Sequence, residues 1–374
     1  MTTRRPDAII VGAGIVGAAC AVALSRDGLD VLVVDADVAA LGTTAAGMGH
    51  LVVMDDSPEQ LALTTYSTAL WAAQAETLQA SAELEWCGTV WVAEDGDQLE
   101  AVHDKQRTYA SAGVASEVLD ERALLQAEPN LRQGLAGGLL VPGDGVIYPP
   151  SAAVALLALA RERGATVRER TRVDAIVAHG VRCGTDILTA GIVVNAAGAS
   201  AAELTPGLPV VPRKGHLVIT ERHPEFCRHQ VVELGYLTSA HVMSGESVAF
   251  NVQTRVTGQV LIGSSRELVG WDASVNRRVV ARMVERACAF MPGLADLTAV
   301  RTWTGFRPAT PDKLPLIGAW PDTPGLWIAA GHEGLGITTS LGTAAVLADL
   351  VAGRTPAIDP LPYAPDRAVM AESH

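Results

Sequence analysis

The stretch AIIVGAGIVG, residues 8–17, decides the fold. Gly12 permits a tight turn after an apolar run, Gly14 lets the backbone approach a pyrophosphate, and Gly17 lets the following helix pack closely. A second apolar run ends at Asp35, whose carboxylate we expect to face ribose hydroxyls. The sequence therefore predicts a dinucleotide-binding βαβ unit that attracts phosphates to the N-terminus of its helix.

Other segments must decide between NAD and FAD, because an acidic residue at the end of the second strand suits both. Residues 42–50, GTTAAGMGH, form a run of small residues soon after that strand. A nicotinamide enzyme has no need for such a run, whereas a larger ligand that lies against bare backbone does. Met48 and the apolar residues 51–53 are unlike a solvated linker. The run therefore favours a buried loop that touches the ring of a larger ligand.

Two distant segments carry a similar signal. Residues 192–199, IVVNAAGA, indicate a further buried strand of the same sheet that ends in small residues. Residues 326–330 indicate another strand, residues 331–336 (GHEGLG) a glycine-rich turn, and residues 337–352 a helix. Such a turn directs backbone amides at an anionic or carbonyl-rich group.

The composition is typical of a large enzyme. With 374 residues, 49% of them hydrophobic, the chain can form two domains and bury a substantial core. The formal net charge of -13 and the absence of basic clusters argue against nucleic acid or an anionic membrane surface as a partner. No apolar run reaches the roughly 18 residues that span a bilayer, and no signal peptide precedes the first strand. We therefore expect a cytoplasmic protein with no transmembrane segment.

The five cysteines are scattered along the chain, and no two of them form a CxxC pair. This pattern suggests neither a disulfide framework nor a zinc or iron–sulfur site. We therefore expect no metal in the protein.

Taken in order, these segments resemble the FAD-dependent D-amino-acid oxidase (DAO) superfamily, in its branch of glycine oxidase, sarcosine oxidase and bacterial D-amino-acid dehydrogenases. The most diagnostic part is GFRPATPDKLPLIG, residues 305–318, which resembles the stretch that carries the family's carboxylate-binding arginine. Residues 48–56, 250–253 and 331–338 are similar to segments of bacterial D-hydroxyproline dehydrogenases. The resemblance spans almost the whole chain.

The flavin-binding pieces lie at the start, middle and end of the chain, so we expect an α/β fold with two interleaved domains. Residues 1–84, 145–206 and 307–374 are predicted to form a Rossmann-like FAD-binding domain. Residues 85–144 and 207–306 are predicted to form an α+β substrate domain that contains a mostly antiparallel sheet.

One helix start is well marked inside the first predicted domain. Ser57 is an N-cap residue, Pro58 takes the first helical position, and Gln60 completes a capping box. The pattern predicts a helix from this point through about Gln79.

The resemblance implies oxidation of a D-amino or cyclic imino acid to the imine, by hydride transfer from Cα to flavin N5. D-Hydroxyproline and D-proline are the first candidates. Because the cofactor does most of this chemistry, the protein mainly orients the substrate. One alternative is a glycine or sarcosine oxidase that makes hydrogen peroxide. Another is a flavin-bearing subunit of a hetero-oligomeric dehydrogenase that needs a partner for activity.

Two positions bear on these alternatives. The related sarcosine oxidases activate oxygen through a lysine where this chain has Leu261, which favours a dehydrogenase over an oxidase. They attach flavin through a cysteine where this chain has approximately Gly305, so we expect non-covalent FAD. Many bacterial relatives work with iron–sulfur subunits, so the resemblance allows for electron-acceptor or iron–sulfur partner subunits and for an oligomer.

Four residues are candidates for substrate contacts. Arg307 offers two parallel donors to a carboxylate, which a lysine cannot do; the alternative is a structural salt bridge. Asn251 and Gln253 share a strand face and can bond an amine or ring hydroxyl, with solvent exposure as the alternative. His50 lies in the small-residue loop, where a structural role is equally open. His332 lies in the glycine-rich turn and, like His50, can contact the isoalloxazine ring or gate access to it, with a structural role equally open. Weaker candidates are Tyr236 and His241.

The predicted FAD contacts come from the glycine-rich turns, the small-residue loop and the strand ends. They are Gly12, Gly14, Ile15, Val16, Gly17, Asp35, Ala36, Thr43, Thr44, Ala46, Gly47, Met48, Val173, Ala196, Ala197, Gly198, Arg307, Gly331, Gly334, Leu335, Gly336, Ile337 and Thr338.

Overall fold

The computed structural model describes residues 5–235 and 246–367. Its strands are β1 (Ala8–Val11), β2 (Val31–Val34), β3 (His50–Leu51), β4 (Thr89–Ala93), β5 (Glu117–Asp120), β6 (Gly137–Val141), β7 (Gly145–Val146), β8 (Thr166–Arg168), β9 (Ala175–Val177), β10 (Gly180–Cys183), β11 (Asp186–Thr189), β12 (Ile192–Asn195), β13 (Val211–Arg222), β14 (Gln230–Glu233), β15 (Ser247–Thr254), β16 (Gln259–Arg266), β17 (Ala299–Ala309), β18 (Leu316–Ala319) and β19 (Leu326–Ala330).

The α-helices are α1 (Ile15–Arg26), α2 (Thr43–Ala46), α3 (Pro58–Ala73), α4 (Ala75–Ala82), α5 (Gly96–Ser111), α6 (Glu121–Ala127), α7 (Pro149–Glu162), α8 (Ala201–Leu204), α9 (Arg277–Phe290) and α10 (Gly336–Val351). Short 3-10 turns follow β12, α9 and the end of α10. No helix among the described residues is both long and apolar enough to cross a membrane.

A six-stranded sheet carries the dinucleotide-binding motif. Its order is β18-β19-β12-β1-β2-β8, and all neighbours are parallel except β18 with β19. β1 and β2 are entirely apolar and buried, as strands covered on both faces require. α1 packs against α7 and α10 on one face of this sheet. The strands predicted from residues 192–199 and 326–330 both belong to it: β12 lies next to β1, and β19 lies on the other side of β12.

Two glycines explain how closely this motif packs. A Cβ at Gly12 would lie 2.4 Å from the carbonyl oxygen of Ala196, and Gly12 has a φ of +108°, which disfavours any side chain. A Cβ at Gly17 would lie 1.9 Å from the carbonyl oxygen of Gly12. The turn, the helix and the end of β12 can therefore meet only if both residues are glycine.

An eight-stranded sheet forms the second layer, in the order β17-β13-β16-β15-β14-β4-β6-β5. Its pairs are antiparallel except for β14 with β4, so the sheet is mostly antiparallel as predicted. α9 covers it, and the rings of Phe250 and Phe290 stack there with centroids 4.4 Å apart. The predicted domain boundaries stay a prediction, and β17 runs across the one between residues 306 and 307.

The helix predicted from Ser57 begins as expected but is divided. Ser57 Oγ accepts from the Gln60 amide at 3.1 Å, and Pro58 is the first helical residue. α3 ends at Ala73, and α4 continues from Ala75. The apolar pattern runs through both helices because both pack on the core, so periodicity alone could not reveal the break at Gln74.

Candidate active site

A cavity of about 420 Å³, the main cavity, opens between the two large sheets. Its walls come from the glycine-rich turn after β1, from α2 and the residues around it, from the end of β12, and from β13, β17 and the start of α10. Most residues predicted to contact FAD line it: Gly12, Gly14, Ile15, Val16, Asp35, Ala36, Thr43, Thr44, Ala46, Gly47, Met48, Val173, Ala196, Ala197, Gly198, Arg307, Gly334, Gly336 and Ile337.

The other four predicted contacts lie behind these walls. Gly17 packs on Gly12. Gly331 has a φ of +81°, and a Cβ at this position would lie 2.5 Å from Thr310 Cγ2. Leu335 lines a neighbouring chamber described below. Thr338 bonds the backbone of the segment that begins at His50, which is also described below.

One end of the main cavity combines a helix N-terminus with an acidic residue. The Ile15 amide donates to Thr44 Oγ1 at 3.0 Å, which joins the first turn of α1 to α2. The carboxylate of Asp35 accepts from the amides of Ala13 and Asp37 and also lines the cavity. Gly14 places no side chain between the start of α1 and the cavity. This end therefore combines the positive end of a helix with a carboxylate, which fit a pyrophosphate and a ribose.

Arg307 lies on β17 in the wall of the main cavity, with its Cα paired with that of Arg213 on β13. A Cβ at Gly215 would lie 2.3 Å from Arg307 Nη1, so the guanidinium occupies the space that this glycine leaves. Nη1 donates to the Ser265 carbonyl at 2.9 Å. A guanidinium carries five N–H donors, so this bond fixes its position and leaves donors for a ligand.

A second cavity of about 70 Å³, which we call the side chamber, adjoins the main cavity. The two share the wall residues His50, Asn251, Glu333 and Gly334. The remaining chamber residues are apolar or charged or carry amide or indole groups: Val52, Met54, Asp56, Gln60, Trp91, Arg213, Val232, Arg266, Lys313 and Leu335.

Two polar atoms on the shared wall have no hydrogen-bond partner among residues 5–235 and 246–367. They are His50 Nε2 and Asn251 Oδ1. Burial lowers the pKa of His50 from 6.5 to about 4, although the neighbouring Gln253 side chain opposes that shift. The imidazole is therefore neutral at pH 7. Because both residues line both cavities, these atoms are candidates to bond a group that enters from either one.

Gln253 takes a different position from Asn251. Its Nε2 donates to the Met48 carbonyl at 3.0 Å, and it is absent from the described walls of both cavities. Gln253 therefore holds the small-residue loop in place, and its side chain also lies next to that of His50. Tyr236 and His241 lie outside the described residues.

Glu333 lies between the two cavities in an arginine cluster. Its carboxylate is 3.3 Å from Arg213 Nη1 and 3.9 Å from Arg266 Nε. Burial raises the pKa of this carboxyl, but Arg266, Arg307 and Arg213 outweigh burial and hold the pKa below its usual value. Glu333 is therefore ionised and offsets part of the positive charge around the site.

The segment from His50 to Asp55 is held by side chains of several distant elements. Thr338 Oγ1 donates to the His50 carbonyl at 2.9 Å and accepts from the Val52 amide at 3.2 Å. Asp144 accepts from the Val53 amide at 3.1 Å, and Tyr109 donates to the Val53 carbonyl at 2.6 Å. Lys105 pairs with Asp55. The chamber wall is thus rigid although little of this segment lies in a sheet.

His332 lines the main cavity as a buried residue with a partner of its own. Its Nε2 lies 3.0 Å from Thr343 Oγ1, and burial lowers the pKa of the imidazole from 6.5 to about 3. It is therefore a neutral wall residue.

Sequence reasoning missed Arg213, Arg266, Lys313 and Glu333. Glu333 lies inside the glycine-rich turn at residues 331–336. The sequence therefore indicated that it is near the cavity, but not that it pairs with arginines. The cations come from three separate segments: Arg213 lies on β13, Arg266 on β16, and Lys313 in the turn between β17 and β18.

Comparison with known proteins supplies the family. The model of the DAO family, described as FAD dependent oxidoreductase, matches residues 7–350. The hydrogen cyanide synthase subunit HcnC of Pseudomonas aeruginosa is 30% identical, over 96% of this chain and 95% of its own. Glycine oxidase of the same species is 30% identical, over 96% of this chain and 98% of its own. The crystal structure of glycine oxidase from Geobacillus kaustophilus superposes with a TM-score of 0.87 at 28% identity, covering 97% of this chain and 98% of the other.

Proposed function

The chain belongs to the DAO family of FAD-dependent oxidoreductases, and on that premise we propose that it oxidises a D-amino or cyclic imino acid to the imine. D-Hydroxyproline and D-proline are the first candidates. The segments that resemble D-hydroxyproline dehydrogenases contribute His50, Asn251 and Glu333 to the cavity walls, which supports this choice.

The observation that carries the proposal is the setting of Arg307. Its guanidinium is held by the Ser265 carbonyl in the space beside Gly215, in the wall of the main cavity. A fixed guanidinium can bind a substrate carboxylate through two parallel hydrogen bonds, which sets the orientation of the carbon next to it.

The residues present fit FAD as the cofactor. The start of α1 and Gly14 would hold the pyrophosphate, Asp35 the ribose, and the backbone around Gly47, Met48 and residues 334–337 the flavin ring. When bound, FAD supplies the acceptor for the two electrons and the hydrogen that leave the substrate carbon. No cysteine lies on the described cavity walls, which supports non-covalent binding.

The substrate amine is proposed to bind on the shared wall. Asn251 Oδ1 is a buried acceptor without a partner among the described residues, and an amine has N–H groups to donate to it. His50 Nε2 also lacks a partner there, and it accepts from the amine when the imidazole carries its proton on Nδ1. Because the imidazole is neutral, it places no positive charge next to the amine. Gln253 acts here as a positioning residue, since it holds Met48 and lies against His50.

A glycine oxidase that makes hydrogen peroxide is the second candidate. Two of the relatives above are glycine oxidases, one at 30% identity over nearly the whole chain. Leu261, buried in β16, is the residue on which we base the preference for a dehydrogenase. The relative HcnC is named as a subunit, which supports a further proposal that this chain works with an electron-acceptor or iron–sulfur partner.

The visible spectrum of the purified protein tests these proposals. We would record it without oxygen, before and after adding D-proline, cis-4-hydroxy-D-proline, glycine and sarcosine in turn. Bleaching by the cyclic D-acids alone, with slow recovery in air, is the expected result.

Two other outcomes of this experiment would contradict the proposal. Bleaching by glycine or sarcosine, followed by fast recovery and peroxide formation, would replace the dehydrogenase by an oxidase. A yellow protein that none of the four compounds bleaches would contradict the proposed substrates and point to a missing partner subunit.

A further inference from the structure

We propose that the side chamber is a subsite for a hydroxyl group that the substrate carries beyond the oxidised carbon. The proposal rests on the proposed function, because it assigns the part of the substrate that lies past His50 and Asn251. The chamber volume of about 70 Å³ exceeds the roughly 10–15 Å³ that a cavity needs to hold one water molecule, so the chamber has room for a hydroxyl group.

Trp91 supplies one half of the subsite. It lies on β4 between β14 and β6, is 2% exposed, and lines the chamber. Its Nε1 has no hydrogen-bond partner within the part of the chain that the structure describes. The indole N–H is a donor only, so it needs an acceptor from a ligand. Lys105 Nζ lies 4.5 Å from the ring centroid, and this contact helps to hold the ring in place.

Gln60 supplies the other half. In a complete capping box the Gln60 side chain would bond back to the Ser57 amide. Here only the first half of that motif forms, from the Gln60 amide to Ser57 Oγ. Gln60 is 6% exposed and lines the chamber, and its Oε1 has no partner among the described residues. The amide oxygen therefore offers an acceptor where the motif predicted a purely structural bond.

A hydroxyl group carries both of the functions that these two atoms require. Its oxygen accepts from Trp91 Nε1 and its hydrogen is donated to Gln60 Oε1. A second substrate carboxylate would suit the nearby cations Arg213, Arg266 and Lys313, but it has no hydrogen to give to Gln60. An apolar ring would leave both atoms buried without partners, which is unfavourable. The pair therefore selects a hydroxylated substrate over its unsubstituted and acidic analogues.

The test compares kcat/KM for cis-4-hydroxy-D-proline and D-proline in the FAD-loaded enzyme and two variants. Trp91→Phe removes the N–H and keeps a ring beneath Lys105, whereas Gln60→Met removes the acceptor and keeps the length. We expect the native enzyme to prefer the hydroxylated substrate and each variant to reduce that preference about tenfold, the usual effect of one lost hydrogen bond. Trp320→Phe, the same change far from the chamber, is the matched control and leaves the preference unchanged.

A binding measurement separates this proposal from the proposed function. Cyclopentanecarboxylate and cis-3-hydroxycyclopentanecarboxylate have no amine to oxidise, and their Kd values follow from perturbation of the flavin spectrum. If no D-acid reduces the flavin, the proposed function fails, and the Kd ratio of these two acids still reports on the subsite. Equal preferences in the native enzyme and both variants would overturn the subsite. So would a native preference for D-glutamate, which would assign the chamber to an acidic arm.

Discussion

Replacing Asp144 by asparagine should stabilise the protein at pH 8 and remove a pH dependence that the native chain carries. Asp144 is completely buried behind the segment that lines the side chamber. It accepts from the Val53 amide at 3.1 Å and from the Thr89 hydroxyl at 2.6 Å. Burial raises the pKa of its carboxyl from 3.8 to about 7, against the opposing effects of these two bonds and of Lys105. An asparagine can accept from Val53 and donate to Thr89, so it keeps both bonds without a charge.

The direction of the effect follows from which state holds the proton. Between pH 3.8 and about 7 the unfolded chain has lost the Asp144 proton while the folded chain keeps it. Folding therefore takes up a proton in this range, and the free energy of unfolding falls as the pH rises. For these two pKa values the fall between pH 5 and pH 8 is roughly 2.5 kcal/mol, out of about 4 kcal/mol for the full titration.

Urea unfolding of the FAD-loaded protein, followed by tryptophan fluorescence at several values between pH 5 and pH 8, measures this difference. All other titrating groups are common to the native chain and Asp144→Asn, so subtracting the two curves isolates Asp144. We expect the variant's advantage to grow by roughly 2.5 kcal/mol over that range. Two parallel curves would refute the reasoning, because they would mean that Asp144 ionises equally easily in both states.

Three further predictions concern the main cavity. Arg307→Met should weaken substrate binding by roughly 2–5 kcal/mol while flavin stays bound. Arg307→Lys should recover only part of that loss, because a lysine cannot form two parallel hydrogen bonds to a carboxylate. An unchanged KM in both variants would contradict the proposal that Arg307 binds the substrate carboxylate. Gly14→Val should yield colourless protein, because its side chain enters the cavity beside Thr44 Oγ1, 3.0 Å from the Cβ position, whereas Gly143→Val, with no neighbour within 4 Å, should remain yellow. Acid precipitation should release all of the flavin into the supernatant, and yellow colour that stays with the pellet would show a covalent bond.

The dinucleotide-binding unit could be predicted because its signals are local. Gly12, Gly14, Gly17 and Asp35 act within one turn and two short strands, and each lies where the sequence places it. The mostly antiparallel character of the second sheet could also be predicted, because alternation along a strand depends only on that strand.

The composition of the side chamber could not be predicted in the same way. Arg213 and Arg266 are near Glu333 only because β13 pairs with both β17 and β16 in one particular register. Register depends on residues far apart in the chain, and a single sequence does not reveal it. Gln60 shows the opposite case, in which a local signal was read correctly but only in part. Its backbone amide bonds Ser57 Oγ as the capping box predicts, whereas its side chain does not complete the motif.

The bonds of Thr338 bear on how the protein is made. This residue at the start of α10 holds the backbone at His50 and Val52, and its carbonyl accepts from Ser67 and Trp71 in α3. During translation, the first cavity segments leave the ribosome long before the residues that fix them in place. The flavin pocket can close only after α10 has emerged, so we expect FAD to bind after synthesis rather than during it. An amino-terminal fragment that ends before residue 336 should therefore lack flavin and should bind chaperones.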